Sequence, residues 1–424
     1  MRFTVRALSL LCLTAGLQAF TPTSALSQEA TATASATAAE STAQAETKTT
    51  DPADSKPTLP PADEANAGKV EQAAEQSGDA KQADAVEEPQ LPPEPAATKV
   101  PDGDPDYALL GEFVGEIEVE ESKSTLGLQI RPIGGGMFEA IQFAGGLPGK
   151  GAVGKEAIEL IGKRFNNSLV LSGGPWVVYA SADSCTVLNE SGPVGKLTRV
   201  TRTSPTMGAQ PPKGATVLFD GTNIEQFTKA RMTADGLLAE GADVKPMFQD
   251  FNLHVEFRLP YMPEQLDQKR GNSGCYLQSR YEVQVLDSFA TLPVFNGCSS
   301  IYRFKPADVN MCLPPLQWQT YDIIFTAPRW AADGSKIRNA RLTVWHNGVK
   351  TQDDVELPNK TGAGKVEEPT LLPTRFQDHR DPVRFRNIWI VDRGLIPMAQ
   401  FPLMPSEASS DAEATEETAE TDAT

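Results

Sequence analysis

The 424 residues carry 38 Lys and Arg against 56 Asp and Glu, a formal charge of −18. Most of that charge sits in two stretches: residues 28–106 hold 17 acids against 5 lysines, and residues 405–424 hold 7 acids and no base. The body between them is close to neutral, so it lacks the basic face that a nucleic-acid binder needs to displace counterions from phosphates.

From Met1, Arg2 and Arg6 precede an apolar run from Ala7 to Leu17, and Ala25-Leu26-Ser27 offers small residues for cleavage; residues 1–27 read as a secretory signal peptide. The run is too short to span a membrane, and Cys12 lacks the small residues that a lipoprotein cleavage site would place before it. The expectation is a soluble protein, secreted or periplasmic. Residues 28–106 are Ala, Thr, Glu, Pro and Gln with hardly an aromatic, and cannot bury enough apolar surface to offset the entropy of ordering them. They read as a disordered acidic linker, and residues 404–424 as a disordered acidic tail by the same argument.

Residues 107–205 show short alternating segments, GEFVGEIEVE, LGLQIRPI, MFEAIQFAG, NSLVLSG and WVVYAS, between glycine turns such as Gly134-Gly135-Gly136. They predict a small β domain with an accessory role; Trp176 and Tyr179 suit its core better than a sugar-stacking surface. Residues 213–393 read as a second all-β domain, with strands in ATVLFDG, NLHVEFRLP, SGCYLQS, YEVQVLD, YDIIFTAP, ARLTVWHNGVK and VRFRNIWIV. Asn347-Gly348 predicts a hairpin turn, where both residues take positive φ. Many short strands at this spacing predict a sandwich or barrel.

The densest polar signal is GNSGCYLQSRYEVQVLDS, Gly271 to Ser288. Read with period two, Gln278, Arg280, Glu282 and Gln284 share one face, opposite Tyr281, Val283 and Val285. Polar residues in that pattern are costly in a core and natural in a groove, and Glu282 among donors is a candidate base or metal ligand; a solvent-facing strand with an ordinary ion pair is the alternative. Asp287 falls on the apolar face and is expected to cap the next turn. His254 alternates with Leu253 and Val255 and reads as structural; His346, before the hairpin turn, is expected to be exposed. His379, between Asp378 and Asp381 in a loop leading into a strand, is equally open to a functional and a structural role. Four cysteines follow the leader, Cys185, Cys275, Cys298 and Cys312, without zinc spacing. Cys298 and Cys312 could close a short disulfide loop, and Cys275 reads as a buried thiol. No GxSxG elbow, P-loop, HExxH or dinucleotide fingerprint stands in a suitable context.

The ordered set LFDGTN (218–223), FQDFNLHVEFRLP (248–260), GNSGCYLQSRYEVQVLDS, Asp308-Val309-Asn310-Met311-Cys312, WQTYDIIF (318–325), WHNGV and QDHRDPVRFRNIWI (377–390) resembles the 3-keto-disaccharide hydrolase family. The N-terminal β region looks like the extra module of planctomycete-type members. At Cys275 the family has a residue such as valine, an exchange conservative for burial. The resemblance implies a concanavalin-like jelly roll of two antiparallel sheets. It also implies cleavage of glycosides already oxidised at C3, by proton removal at C2, loss of the C1 substituent and hydration. Some members are metal dependent, which implies a divalent cation as a possible cofactor. On these grounds Glu282 and His379 are the expected proton-transfer or metal-binding residues, with Asn272, Gln278, Arg280 and Gln284 lining the sugar site; the expected partner is a carbohydrate. A non-catalytic carbohydrate-binding protein of the same fold is the second reading, and a conventional glycosidase, for which Asp287 is a poor second carboxylate, the third.

Overall fold

The computed structural model describes residues 98–153 and 157–394. The expected signal peptide, the acidic tail and all but the last nine residues of the expected linker lie outside that range. Those nine end in order: Asp104 accepts from Asp106 N at 2.8 Å and caps the five-residue helix α1, Pro105–Leu109. Apart from α1 and one 3-10 turn at Asp267–Lys269, regular structure among the described residues is β.

Eight antiparallel strands follow α1: β1 Gly111–Val119, β2 Ser122–Pro132, β3 Met137–Ala144, β4 Ala157–Phe165, β5 Ser168–Gly173, β6 Trp176–Ala180, β7 Ser184–Asn189 and β8 Gly192–Val200. Each pairs with the next, and β8 returns to β1 from Glu112↔Val200 to Ile117↔Gly195, closing a barrel with no free edge. Alternation fills the interior, with Phe113, Leu128, Ile130, Phe138, Leu169, Leu171, Val187 and Leu197 fully buried. Trp176 packs against that core and donates to Gln142 Oε1, whereas Tyr179 points outward and is half exposed.

The remaining strands are β9 Thr216–Phe219, β10 Leu238–Ala239, β11 Ala242–Asp243, β12 Phe251–Arg258, β13 Ser273–Leu277, β14 Tyr281–Val285, β15 Trp318–Thr326, β16 Arg329–Trp330, β17 Lys336–Arg338, β18 Ala340–His346, β19 Val349–Leu357, β20 Arg375–Phe376 and β21 Arg384–Asp392. They form a large sheet, β10-β21-β12-β15-β18-β19 with β9 on β21, and a small one, β11-β20-β13-β14; β16 and β17 make a ribbon. Phe251, Leu253, Val255 and Phe257 of β12 meet Cys275, Leu277, Tyr281 and Val283 of the small sheet in one core, a jelly-roll sandwich of the expected class. Asn347 and Gly348 take φ of 51° and 81° between β18 and β19, as the hairpin requires.

The outward face of the large sheet carries buried polar groups, satisfied by the segment that leaves the barrel. Thr206 donates to Asp322, Gly208 N to Glu256, and Ala209 O accepts from Asn387 and Trp389. His254 lies inside this network, 2.6 Å from Asp322 and stacked on Trp389, a structural histidine as expected. His346 departs from expectation. It is fully buried, its ring packs on Phe257 and Tyr321, and its Nε2 sits 2.9 Å from Gln319; burial pushes its proton affinity down to about 3. The turn that should have exposed it is itself tied down, since Asn347 donates to Met311 O and accepts from Thr320 N.

Candidate active site

The site grows from the β13–β14 hairpin. Gln278 and Ser279 both take positive φ, and Arg280 N closes the turn on Leu277 O. The turn reverses the chain inside the stretch that period two treats as one face, so Gln278 and Arg280 leave that face. Gln278 Nε2 donates to Phe248 O, while the Arg280 guanidinium donates to Val366 O and Thr370 O. Both are buried, with their donors spent mainly on backbone carbonyls and, for Arg280, also on Thr370 Oγ1 and Gln278 Oε1. They hold loops in place, and neither side chain makes a hydrogen bond to the groups described next, although both were expected to line a sugar site.

Cross-strand register puts Arg375 of β20, Tyr276 of β13 and Glu282 of β14 in one row. The next row holds Gln377, whose N–H donates to Gly274 O, then Gly274 itself, then Gln284. Alternation aims these side chains outward from the core that holds Cys275 and Val283. Gly274 is the empty position of the six: a Cβ there would stand 2.4 Å from Glu282 Oε1, so the carboxylate lies over the glycine. Tyr276 donates to Glu282 Oε2 at 2.7 Å. Tyr302 joins through the segment that runs beside β14, where Tyr302 N donates to Glu282 O. Gly362 packs so close that its Cβ would lie 2.5 Å from the Tyr302 ring and 3.0 Å from Glu282 Oε2.

Glu282 is 2% exposed. Burial raises its proton affinity to about 7, against the opposing pull of the Tyr276 hydroxyl and the Arg375 charge. The Tyr276 hydroxyl is itself pushed up by burial and by Glu282, so it stays a donor. Arg375 lies with its guanidinium carbon 4.9 Å from the Tyr276 ring centroid. Three polar atoms on these two rows are buried without a hydrogen-bond partner: Arg375 Nε, Gln284 Oε1 and Gln377 Oε1. Unsatisfied buried groups are costly, and one donor with two acceptors around a carboxylate suits a ligand rich in hydroxyl and carbonyl oxygens.

Gln284 is therefore in the site, with its Nε2 held by Gln268 Oε1 at 3.0 Å. Asn272 borders it; its side chain donates to Gln268 O, and its N–H donates to Asp381 at 2.7 Å. His379 lies exposed in the loop beyond Gln377, and the carboxyl its charge lowers is that of Asp381, which burial raises. Burial, Tyr276 and Arg375 set Glu282, so the two expected proton-transfer residues are not brought into one unit. No group of three His, Cys, Asp or Glu side chains among the described residues converges as metal ligands do, and Glu282 with His379 does not complete one. Tyr276, Tyr302, Arg375, Gln268 and Gln377 were missed from sequence. Gln377 and Arg375 flank the inward Phe376, and that alternation was the one signal available. Two cavities of about 600 Å³ lie elsewhere, between barrel strands and residues 290–310, and contain none of these groups.

Gly362 gives a first test. Gly362→Ala combines a positive φ of 49° with the two close contacts, and should cost about 1–2 kcal/mol of stability and at least tenfold in activity. Gly135→Ala has a comparable φ of 60° with nothing within 4 Å, and should cost stability alone. Thermal melts and kcat/KM on the pair separate strain from damage to the site.

Residues 214–391 match the family profile of the 3-keto-alpha-glucoside-1,2-lyase-like domain. Three solved Parabacteroides distasonis proteins, each named as a candidate glycosyl hydrolase, are similar to 42% of this chain. One is 33% identical over 84% of its own length with a TM-score of 0.39. The others are 18% and 21% identical over 94% and 98% of theirs, with TM-scores of 0.31 and 0.29. No curated protein matches. The chain belongs to the 3-keto-disaccharide hydrolase family, and its jelly roll is a glycoside-processing domain. The barrel lies outside the matched residues.

Proposed function

We propose that the jelly roll cleaves 3-keto-glycosides by elimination across C1 and C2, with Glu282 as the base. The observation that carries this reading is a buried carboxylate with proton affinity near neutrality, bordered by three unpartnered polar atoms on the same sheet face. A base poised near the working pH is half free to accept a proton and still strong enough to take one. A C3 carbonyl acidifies the C2 hydrogen. Glu282 removes that proton, the electron pair forms an enolate held near the Arg375 charge, and its collapse makes the C1–C2 double bond as the C1–O bond breaks. Water then adds, hydroxyl to C1 and proton to C2, giving the free 3-keto sugar. Gln284 and Gln377 would accept from sugar hydroxyls, and His379 with Asp381 would stand at the rim, where a proton could reach the departing oxygen. The leader-like residues 1–27 place this activity, in our reading, outside the cytoplasm.

Product release from a 3-keto-glucoside beside its unoxidised parent tests the reading. Only the keto compound should turn over, and kcat/KM should rise with pH through about 7 as Glu282 ionises. Tyr276→Phe removes a hydrogen bond that favours the carboxylate, so the limb should move to higher pH by about one unit. Retained sugar binding without turnover of either compound would make the domain a binding protein instead.

A further inference from the structure

The described residues include four free cysteines, all buried. Cys185 sits in the barrel core and Cys275 on the inner face of β13. The other two meet. The Cys298 and Cys312 thiols interact directly, and both meet the Leu286 backbone, with Cys312 Sγ 3.6 Å from Leu286 O. Cys298 Sγ is also 3.1 Å from the Tyr321 hydroxyl, which donates to Gln284 O. The reaction proposed above uses neither thiol. What they bracket does matter to it: Ser299 N and Ser300 O pair with the Gln284 backbone, Ile301 bridges Val283, and Tyr302 N donates to Glu282 O. Residues 299–302 are thus laid along β14, joined to it by backbone hydrogen bonds and anchored at Cys298 by a cluster of weak sulfur contacts.

We propose that Cys298 and Cys312 are a covalent modification site: an intramolecular disulfide that closes residues 299–311 into a loop and fixes that segment against β14. The pair is preassembled, two interacting thiols buried in one dry core. One cysteine thiolate attacks an exchangeable disulfide of the oxidant, expelling one of its thiols, and the second displaces the other. Two cysteine thiols lose two protons and two electrons, one S–S bond forms, and the oxidant's disulfide becomes two thiols. Both sulfurs are shut off from solvent in the folded chain, so the bond forms during folding, before the core closes. This inference stands on the thiol geometry and not on the reaction.

The test is to refold the full chain from denaturant in mixed oxidised and reduced glutathione, block free thiols with an alkylating agent under denaturing conditions, and map peptides by mass. Cys12, Cys185 and Cys275 should carry the label, and one linked peptide should join Cys298 to Cys312. Reduction should lower the melting temperature by about 5–10 °C, and the Cys298→Ser, Cys312→Ser double variant should show no such redox-dependent shift. Label on both Cys298 and Cys312, or a link from either to another cysteine, overturns the proposal. Where refolding fails, the same map on chain purified without reductant decides it.

Discussion

Glu282→Gln should lower kcat/KM for a 3-keto-glucoside by about 10²–10⁴-fold while making the protein more stable at pH 8. Both halves come from one fact, that burial raises this carboxyl from 4.5 to about 7. A raised carboxyl contributes its full stability below the unfolded value and loses it as pH climbs through the folded one, because ionising it in the fold costs more than in water. The shift corresponds to an upper limit of about 3 kcal/mol above pH 7, less after relaxation. Glutamine keeps the shape and still accepts from the Tyr276 hydroxyl, but has no charge to bury. The variant should therefore melt several degrees higher than wild type at pH 8 and at the same temperature at pH 4. A structural ion-pair role for Glu282 would give the opposite sign, with stability falling at pH 8 and activity changing little. Melts at the two pH values with a rate assay separate the two readings.

The sequence located Glu282 because a carboxylate between two polar residues in an apolar alternation is hard to place in a core. It put Gln278 and Arg280 on one face with Glu282 because the turn that separates them from it is made by Gln278 and Ser279, with neither glycine nor asparagine at its positive-φ positions. Tyr276 carries no signal of its own, being one aromatic in GNSGCYLQ. Arg375 and Gln377 reach the site only through a two-residue strand paired with β13 from far along the chain, a contact that local periodicity cannot express. Barrel closure was hidden for the same reason: β1 and β8 meet across the whole domain, and β4 and β8 interrupt their alternation with Gly162 and Gly195. The buried His346 shows the converse, a turn signal read correctly whose surroundings, Thr320 and Met311, lie elsewhere in sequence.

Asp287→Ala should cost about 3–5 kcal/mol, the largest stability loss expected of a single change near the site. Asp287 follows β14 by two residues, and its Oδ2 takes the Arg270 Nε–H at 2.7 Å, both side chains being essentially buried. Asp287 Oδ1 also accepts from Phe289 N, the turn cap expected of it. Arg270 cannot shed its charge, and its remaining donors reach only Pro132 O at 2.9 Å and, weakly, Pro263 O, with one nitrogen already unpartnered. Removing the carboxylate leaves a buried guanidinium facing carbonyls. Pro132 ends barrel strand β2, so the same cation ties the barrel to the jelly roll, and it stands two residues from Gln268, which holds Gln284 in the site. The melting temperature should therefore fall by roughly 10 °C, and activity should be lost at a correspondingly lower temperature. Asp287→Asn keeps the hydrogen bond without the charge and should fall between. The decisive comparison is Arg270→Met with Asp287→Leu: two apolar replacements of similar volume should cost less together than either alone, because each single change strands a buried charge that the double removes. Additive losses would mean that solvent or neighbouring carbonyls already compensate both ions, and that the junction is held by the strap at residues 204–209 instead.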